Sequence, residues 1–160
     1  MITLTQSFKV IDCTATGRLV AAEARRWIGT PYLHQYSTQG AGTDCLGLVR
    51  GVWRGVVGPE PLEIPTYSRD WSEPTGDEAL MVSADNFLIR RSDFTLRVGD
   101  VLLFRMREGC VAKHLGIVSG CDPTLKFIHA YTGHGVVENS LSDPWLRRIA
   151  AVYSFPEQVK

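Results

Sequence analysis

The chain has 160 residues, of which 44% are hydrophobic and 21% are charged, and its formal net charge is zero. This length and composition suffice for one hydrophobic core, so we expect a single domain spanning residues 1–160. Because there is no basic excess, nothing indicates a nucleic acid or an anionic membrane surface as partner. We expect no membrane insertion and, without a signal-peptide pattern in residues 1–10, synthesis as a soluble cytoplasmic product.

Apolar residues at helical spacing predict three helices in the first part of the chain. The first covers residues 18–28, and the following apolar side chains share one of its sides: Val20, Ala24, Trp27 and Ile28. The second begins at Cys45 and ends near residue 57, before a Gly-Pro pair, with the thiol on its apolar side. A third, weaker helix covers residues 77–86.

The remainder of the chain has the pattern of strands rather than helices. Strands are predicted over residues 101–106, 114–119, 126–131, 135–138 and 149–155. The Gly, Asp and Pro residues between them suit an antiparallel meander. Helices followed by strands indicate an α+β domain.

Cys45 is the residue most suggestive of chemistry. Asp44 or Thr43 can cap the helix that begins there, and the free N–H groups of a first helical turn lower a thiol pKa, in favourable cases from about 8.5 toward roughly 3.5 to 7.5. His114 and His129, on neighbouring predicted strands, are candidates for a base and for the residue that orients it. The alternative is structural: a cysteine that fills the core, and two buried histidines.

The other cysteines and histidines lack such support. Cys13, Cys110 and Cys121 form no Cys-x-x-Cys pair, so we expect no zinc site and no cofactor. Cys110 and Cys121 could face each other across a hairpin, but buried free thiols fit a chain without a secretory signal better. His134, between two glycines, is predicted to be a turn residue, whereas His34 either borders a substrate groove or lies on the surface.

Five short motifs occur in a telling order: Gly-Thr-Pro-Tyr at 29–32, Asp-Cys-Leu-Gly-Leu-Val at 44–49, Val-Gly-Asp-Val-Leu-Leu-Phe at 98–104, His-Leu-Gly-Ile-Val at 114–118 and Phe-Ile-His-Ala at 127–130. Their order and spacing resemble the NlpC-type cysteine peptidases of bacterial cell walls, over roughly residues 21–141. The resemblance implies a reduced papain-like α+β fold, with the nucleophile helix packed on an antiparallel sheet, and no metal. It also implies hydrolysis of peptidoglycan stem peptides, commonly between D-glutamate and diaminopimelate.

The resemblance assigns roles to five residues. Cys45 is the nucleophile, His114 the base and His129 the residue that orients His114. Tyr32 lies by the oxyanion, unless it only packs behind its neighbour, and Asp44 either caps the helix or contacts a free amine of the substrate. Two rivals remain: an amidase or acyltransferase with the same catalytic residues, and a structural tail protein with a vestigial site.

Residues 59–76 alternate prolines and aromatics with charges, which predicts an ordered excursion. The longer stretch that contains it, between the Cys45 helix and Val101, resembles the version of the family that is encoded with phage tails and phage-like gene transfer agents. The expected partners are therefore a peptidoglycan stem peptide and phage-like tail or baseplate proteins, with the protein acting in the cell wall from a virion tail. Ile64, Tyr67 and Trp71 would either form the docking patch or fold back onto their own domain.

Overall fold

The computed structural model describes residues 14–61, 67, 76–93 and 95–157 of the chain. In chain order its elements are α1 (Ala15–Arg26), β1 (Ser37–Thr38), β2 (Gly42–Thr43), α2 (Cys45–Val56), α3 (Ala79–Phe87), β3 (Ile89–Arg91), β4 (Val101–Phe104), β5 (His114–Gly120), β6 (Lys126–Tyr131), β7 (Gly135–Ser140), α4 (Asp143–Leu146) and β8 (Ile149–Ser154). None of the described helices is long and apolar enough to cross a membrane.

Helix α1 begins at a cap and ends earlier than the sequence predicted. The Thr14 side chain accepts a hydrogen bond of 2.9 Å from the Gly17 N–H, which satisfies one free donor of the first turn. The helix ends at Arg26, and Gly29 then turns the chain with φ of +92°. Ile28 therefore leaves the helical register and is 45% exposed, so its predicted place on the buried side is wrong.

Helix α2 carries Cys45 at its first position and is buried along most of its length. Leu48 and Val52 are fully buried in the core cluster that also contains Trp27 of the α1 end. A Cβ at Gly51 would overlap the Trp27 ring, so this glycine lets α1 and α2 approach closely. The predicted extent of the Cys45 helix, to about residue 57, is confirmed within one residue.

The main sheet has six antiparallel strands in the order β3-β8-β4-β5-β6-β7. Strands β4 to β7 form the predicted meander, whereas β8 returns to pair with β4 and places β3 at the sheet edge. Strand β3 was not predicted, because three residues are too few to show an alternating pattern. The α+β class, with the Cys45 helix packed on an antiparallel sheet, is confirmed.

The two faces of the sheet bury different sets of side chains. One face packs against α1 and α2, and its strand residues include Leu103, Leu115, Ile117, Ile128 and Ala130. The other face buries a second cluster that includes Leu102, Phe104, Val118 and Phe127, and Trp145 and Leu146 of α4 pack against it. Because strand side chains alternate, His114 and His129 lie on the second face.

Candidate active site

A cleft of about 270 Å³ opens at the N-terminal end of α2. Four of the five predicted site residues line it, namely Tyr32, Asp44, Cys45 and His114. The other lining residues are His34, Tyr67, Met106, Lys113, Ala130, Tyr131 and Thr132. The fifth, His129, is fully buried and contacts His114 from behind.

The thiol of Cys45 lies beside the start of β5. Its Sγ is 3.9 Å from the carbonyl oxygen of Lys113, the residue directly before His114 in the chain. Cys45 is 8% exposed and belongs to the core cluster of the helix-facing side of the sheet, so the thiol points inward, as predicted. The structure thus brings the thiol and the His114 imidazole into one cleft although 69 positions separate them.

The two histidines and an asparagine form a chain of short hydrogen bonds. His114 Nε2 lies 2.8 Å from His129 Nδ1, and His129 Nε2 lies 2.7 Å from Asn139 Oδ1. The predicted contact between the two histidines is therefore confirmed. Because Nε2 of His114 faces His129, Nδ1 is the ring nitrogen left for the thiol.

Aromatic rings enclose this pair of histidines. We call Phe104, Phe127, Tyr131 and Trp145 the aromatic enclosure. The Trp145 centroid is 5.9 Å from that of His114 and 5.2 Å from that of His129. Burial and the neighbouring His129 lower the pKa of His114 to about 3, and burial lowers the pKa of His129 as well. Both imidazoles are therefore neutral near pH 7.

The predicted low pKa of the Cys45 thiol is wrong for the free protein. Burial of the thiol, together with the negative charge of Asp44, raises its pKa to about 12, and burial is the larger of the two causes. Hydrogen bonds from the N–H groups of Leu115 and Leu46 act in the opposite direction but do not prevail. The helix start supplies donors, as the sequence indicated, yet desolvation outweighs them.

Asp44 is shown to be the cap of α2. Its Oδ1 accepts a hydrogen bond of 2.7 Å from the Gly47 N–H, and its Oδ2 accepts one of 2.7 Å from the Gln35 N–H. The Tyr67 hydroxyl donates to Oδ2 too, and His34 Nδ1 lies 3.7 Å from it. The predicted contact of Asp44 with a substrate amine stays a prediction, since no described contact tests it.

Two roles were expected for Tyr32, packing against its neighbour and a place beside the oxyanion, and the structure answers only the first. It forms a parallel bridge with Thr43, packs against the core cluster and lines the cleft near Cys45. Tyr32 therefore does more than pack against the core, because it also lines the cleft. Its role beside an oxyanion stays a prediction.

The other predicted residues are placed as follows. His134 lies in the turn between β6 and β7, as predicted, and stacks on Tyr131. His34 borders the cleft. Cys110 and Cys121 are free but only partly buried, and they lie beyond opposite ends of β5, so they do not face each other across a hairpin. Cys13 lies outside the described residues, as do Ile64 and Trp71 of the 59–76 segment.

Sequence reasoning missed three residues that shape the site: Asn139, Trp145 and Tyr67. Asn139 follows the predicted end of its strand, and its extension of β7 is polar, so no apolar alternation marked it. Trp145 lies in the four-residue helix α4, which is too short for periodicity to reveal. Tyr67 was noted for packing, whereas its hydroxyl contacts the cap of the Cys45 helix.

Residues 29–153 match the NlpC/P60 family. Among curated proteins, the chain is 32% identical over 122 residues to murein DD-endopeptidase MepS/murein LD-carboxypeptidase of Escherichia coli K12, covering 76% of this chain and 53% of that protein. It is 28% identical over 138 residues to gamma-DL-glutamyl hydrolase of Bacillus subtilis, covering 85% of this chain and 29% of that protein. The chain thus spans about half the length, or less, of the curated relatives it matches.

Solved structures agree with the fold. The NlpC/p60 domain of the peptidoglycan hydrolase SagA aligns with a TM-score of 0.54 and 26% identity, covering 87% of this chain and 98% of that one. NlpC1 of Trichomonas vaginalis aligns with a TM-score of 0.57 and 20% identity, covering 94% of this chain and 48% of that one. A family match over most of the chain, with the same fold around the cleft, shows that this chain belongs to the NlpC/P60 family.

Proposed function

We propose that the chain is a cysteine endopeptidase that hydrolyses stem peptides of peptidoglycan. One observation carries the proposal: a buried thiol at a helix start and a buried imidazole line the same cleft, and a second imidazole holds the first from behind. A thiol, a base and a group that orients the base are the parts of a cysteine hydrolase. The name of the murein endopeptidase relative supports a peptide of the bacterial wall as substrate, and the name of the gamma-DL-glutamyl hydrolase supports a glutamyl bond.

In the proposed mechanism each proton has a defined path. Nδ1 of His114 accepts the thiol proton as the Cys45 sulfur attacks the carbonyl carbon of the scissile amide. The resulting oxyanion accepts hydrogen bonds from N–H groups at the start of α2, with Tyr32 at the side of the cleft. His114 then returns the proton to the leaving nitrogen, the C–N bond breaks, and a thioester remains on Cys45.

Hydrolysis of the thioester uses the same groups in reverse. Water gives a proton to Nδ1 of His114 and attacks the thioester carbonyl, the C–S bond breaks, and the sulfur recovers the proton. The products are a new carboxylate and the free amine released in the first step. Both imidazoles are neutral before attack, so the proton transfer accompanies bond formation rather than preceding it.

Within the stem peptide we propose the bond between D-glutamate and diaminopimelate. Incubation of the pure protein with purified muropeptides, followed by mass spectrometry, tests this bond against the others. We expect a mass gain of one water and two fragments that separate at that bond. Cys45→Ala should give no fragments, whereas Cys121→Ala, a free thiol away from the cleft, should cleave as the parent does. Cleavage by Cys45→Ala would contradict the proposal.

The amidase or acyltransferase rival shares every catalytic residue, so only the product separates it from a peptidase. Transfer would join the acyl group to an added amine, with no gain of water in that product. Cleavage between muramic acid and L-alanine would instead indicate an amidase. The same muropeptide digestion, repeated with an added amino acid amide, distinguishes these reactions.

We further propose that the protein works as a component of a phage-like tail and reaches the wall with the particle. The support is the resemblance of the segment between the Cys45 helix and the first strand of the meander to tail-associated members of the family. Purified particles should contain the chain in fixed proportion to other tail or baseplate proteins. Recovery of the chain only from the lysate, with none in intact particles, would contradict this proposal and indicate a lysis or remodelling enzyme.

A further inference from the structure

Asn139 occupies the outer end of the hydrogen-bond chain that reaches the cleft. It lies on β7, where the pairing of His129 with Val137 places Asn139 two residues along the same face. Its Oδ1 is 2.7 Å from His129 Nε2, and His129 Nδ1 is 2.8 Å from His114 Nε2. His129 is fully buried, whereas Asn139 is exposed. The two hydrogen bonds therefore connect the protein surface, at Asn139, to His114.

The direction of these hydrogen bonds follows from the donor at each nitrogen. A carbonyl oxygen only accepts, so the Asn139 contact requires a proton on His129 Nε2. A neutral imidazole carries one proton, so His129 Nδ1 must then accept, and the proton between the rings belongs to His114 Nε2. This leaves Nδ1 of His114 without a proton and able to take one from the thiol.

We infer that Asn139 is a positioning residue that fixes the tautomers of both histidines and thereby keeps His114 ready to act as base. The inference rests on the proposed peptidase function and deepens it. With the opposite tautomer, His129 Nδ1 would donate to His114 Nε2, and His114 would carry its proton on Nδ1. That nitrogen could not accept the thiol proton, so attack on the substrate would stall.

The surroundings make the choice of tautomer depend on Asn139. The aromatic enclosure and the fixed strand pairing hold both rings in place, so the rings cannot rotate freely to correct a wrong tautomer. A water molecule in place of the amide would both donate and accept, and would therefore impose neither form. Asn139 presents its acceptor, Oδ1, to His129 Nε2, and an acceptor at this position selects the productive form.

The tautomers are measured directly by long-range proton–nitrogen correlation spectra of protein labelled with ¹⁵N-histidine. The Cys45→Ala form is used, so that the result does not depend on turnover, and His34→Gln and His134→Gln assign the remaining signals. We expect His114 and His129 both protonated at Nε2 near pH 7.5. A spectrum of this form, with Asn139 intact, that shows the His129 proton on Nδ1 would overturn the inference, whether or not any Asn139 variant folds.

Substitution of Asn139 gives the second measurement. Asn139→Leu keeps a similar volume without an acceptor, and we expect mixed tautomers and a fall in kcat of roughly tenfold or more with KM unchanged. Asn139→Asp, which only accepts, should restore the tautomer and most of kcat above pH 8. Ser140→Ala, at the exposed neighbouring position, is the matched control and should change neither. Unchanged tautomers in a folded Asn139→Leu protein would overturn the inference.

The two proposals fail separately. If the histidine tautomers match the expectation but no stem peptide is cleaved, the proposed function fails and the role of Asn139 in fixing the rings stands. If peptides are cleaved but Asn139→Leu leaves both tautomers and kcat unchanged, the peptidase stands and the inference fails.

Discussion

The pH dependence of Cys45 alkylation in the free protein follows from the burial of the site. A thiol with a pKa of about 12 is ionised in about one molecule in 10⁵ at pH 7. A thiol with the ordinary value of 9.0 would be ionised in about one in 10². Because the thiolate is the reactive form, we expect Cys45 to react about a thousandfold more slowly than an ordinary thiol at neutral pH.

The alkylation rate is measured on the free protein from pH 4 to 10 with iodoacetamide present. Intact mass and peptide mapping separate the Cys45 adduct from adducts of the partly exposed Cys110 and Cys121. We expect the Cys45 rate to rise about tenfold for each pH unit and to show no plateau below pH 9. A small peptide thiol measured alongside provides the reference rate, and His114→Ala should leave the slope at Cys45 unchanged.

A plateau in the alkylation rate at acid pH would mean that the Cys45 thiol is already ionised in the free protein. Rates that level off between about pH 4 and 8, with His114→Ala removing the plateau, would mean that a thiolate and an imidazolium exist as an ion pair before substrate binds. The proton transfer would then precede attack instead of accompanying it, and the helix start would outweigh desolvation after all.

Three further predictions follow from the same contacts. Gly47→Ala places a methyl group against a main-chain carbonyl and should lower the free energy of unfolding in urea by about 2 kcal/mol or more. Gly55→Ala, in the same helix, is the control: its methyl group meets the flexible Glu23 carboxylate, 2.7 Å away, so the free energy of unfolding should stay the same or rise by up to about 1 kcal/mol. His114→Ala should lose nearly as much turnover as loss of the thiol, but His129→Gln markedly less; equal total losses in folded proteins would mean that the base is misassigned. Because burial lowers the pKa of His114 from 6.5 to about 3, the stability that the neutral His114 contributes is complete above pH 6.5 and falls by about 1.4 kcal/mol for each pH unit toward pH 3. The lowered pKa of His129 acts in the same direction. His114→Gln should flatten this slope, and equal slopes would contradict the assigned burial.

The parts of the site that the sequence predicted are those that lie in long periodic elements. Apolar spacing along α2 located Cys45 at a helix start, and apolar runs located the strands of His114 and His129. The pairing of neighbouring antiparallel strands then sufficed to bring both histidines together. The family resemblance added their roles, which the periodicity of the chain does not carry.

The parts that were not predicted depend on tertiary packing. Trp145 reaches the histidines from a single helical turn, and Asn139 reaches them by its register on an edge strand, neither of which leaves a local pattern. The thiol pKa was predicted with the wrong direction, because helix donors are local to the sequence near Cys45 whereas burial is contributed by the sheet packed over it. Local signals placed the nucleophile, and distant contacts set its charge state.

In the proposed reaction Cys45 forms a thioester with a stem peptide, and His114 acts as the base. Rapid mixing with purified stem peptide, acid quenching within milliseconds and mapping of the modified residue by mass spectrometry test it most directly. We expect an acyl adduct on Cys45 that appears before free product and is strongly reduced in His114→Ala. Product formation with no adduct on Cys45, or turnover by Cys45→Ala, would contradict it.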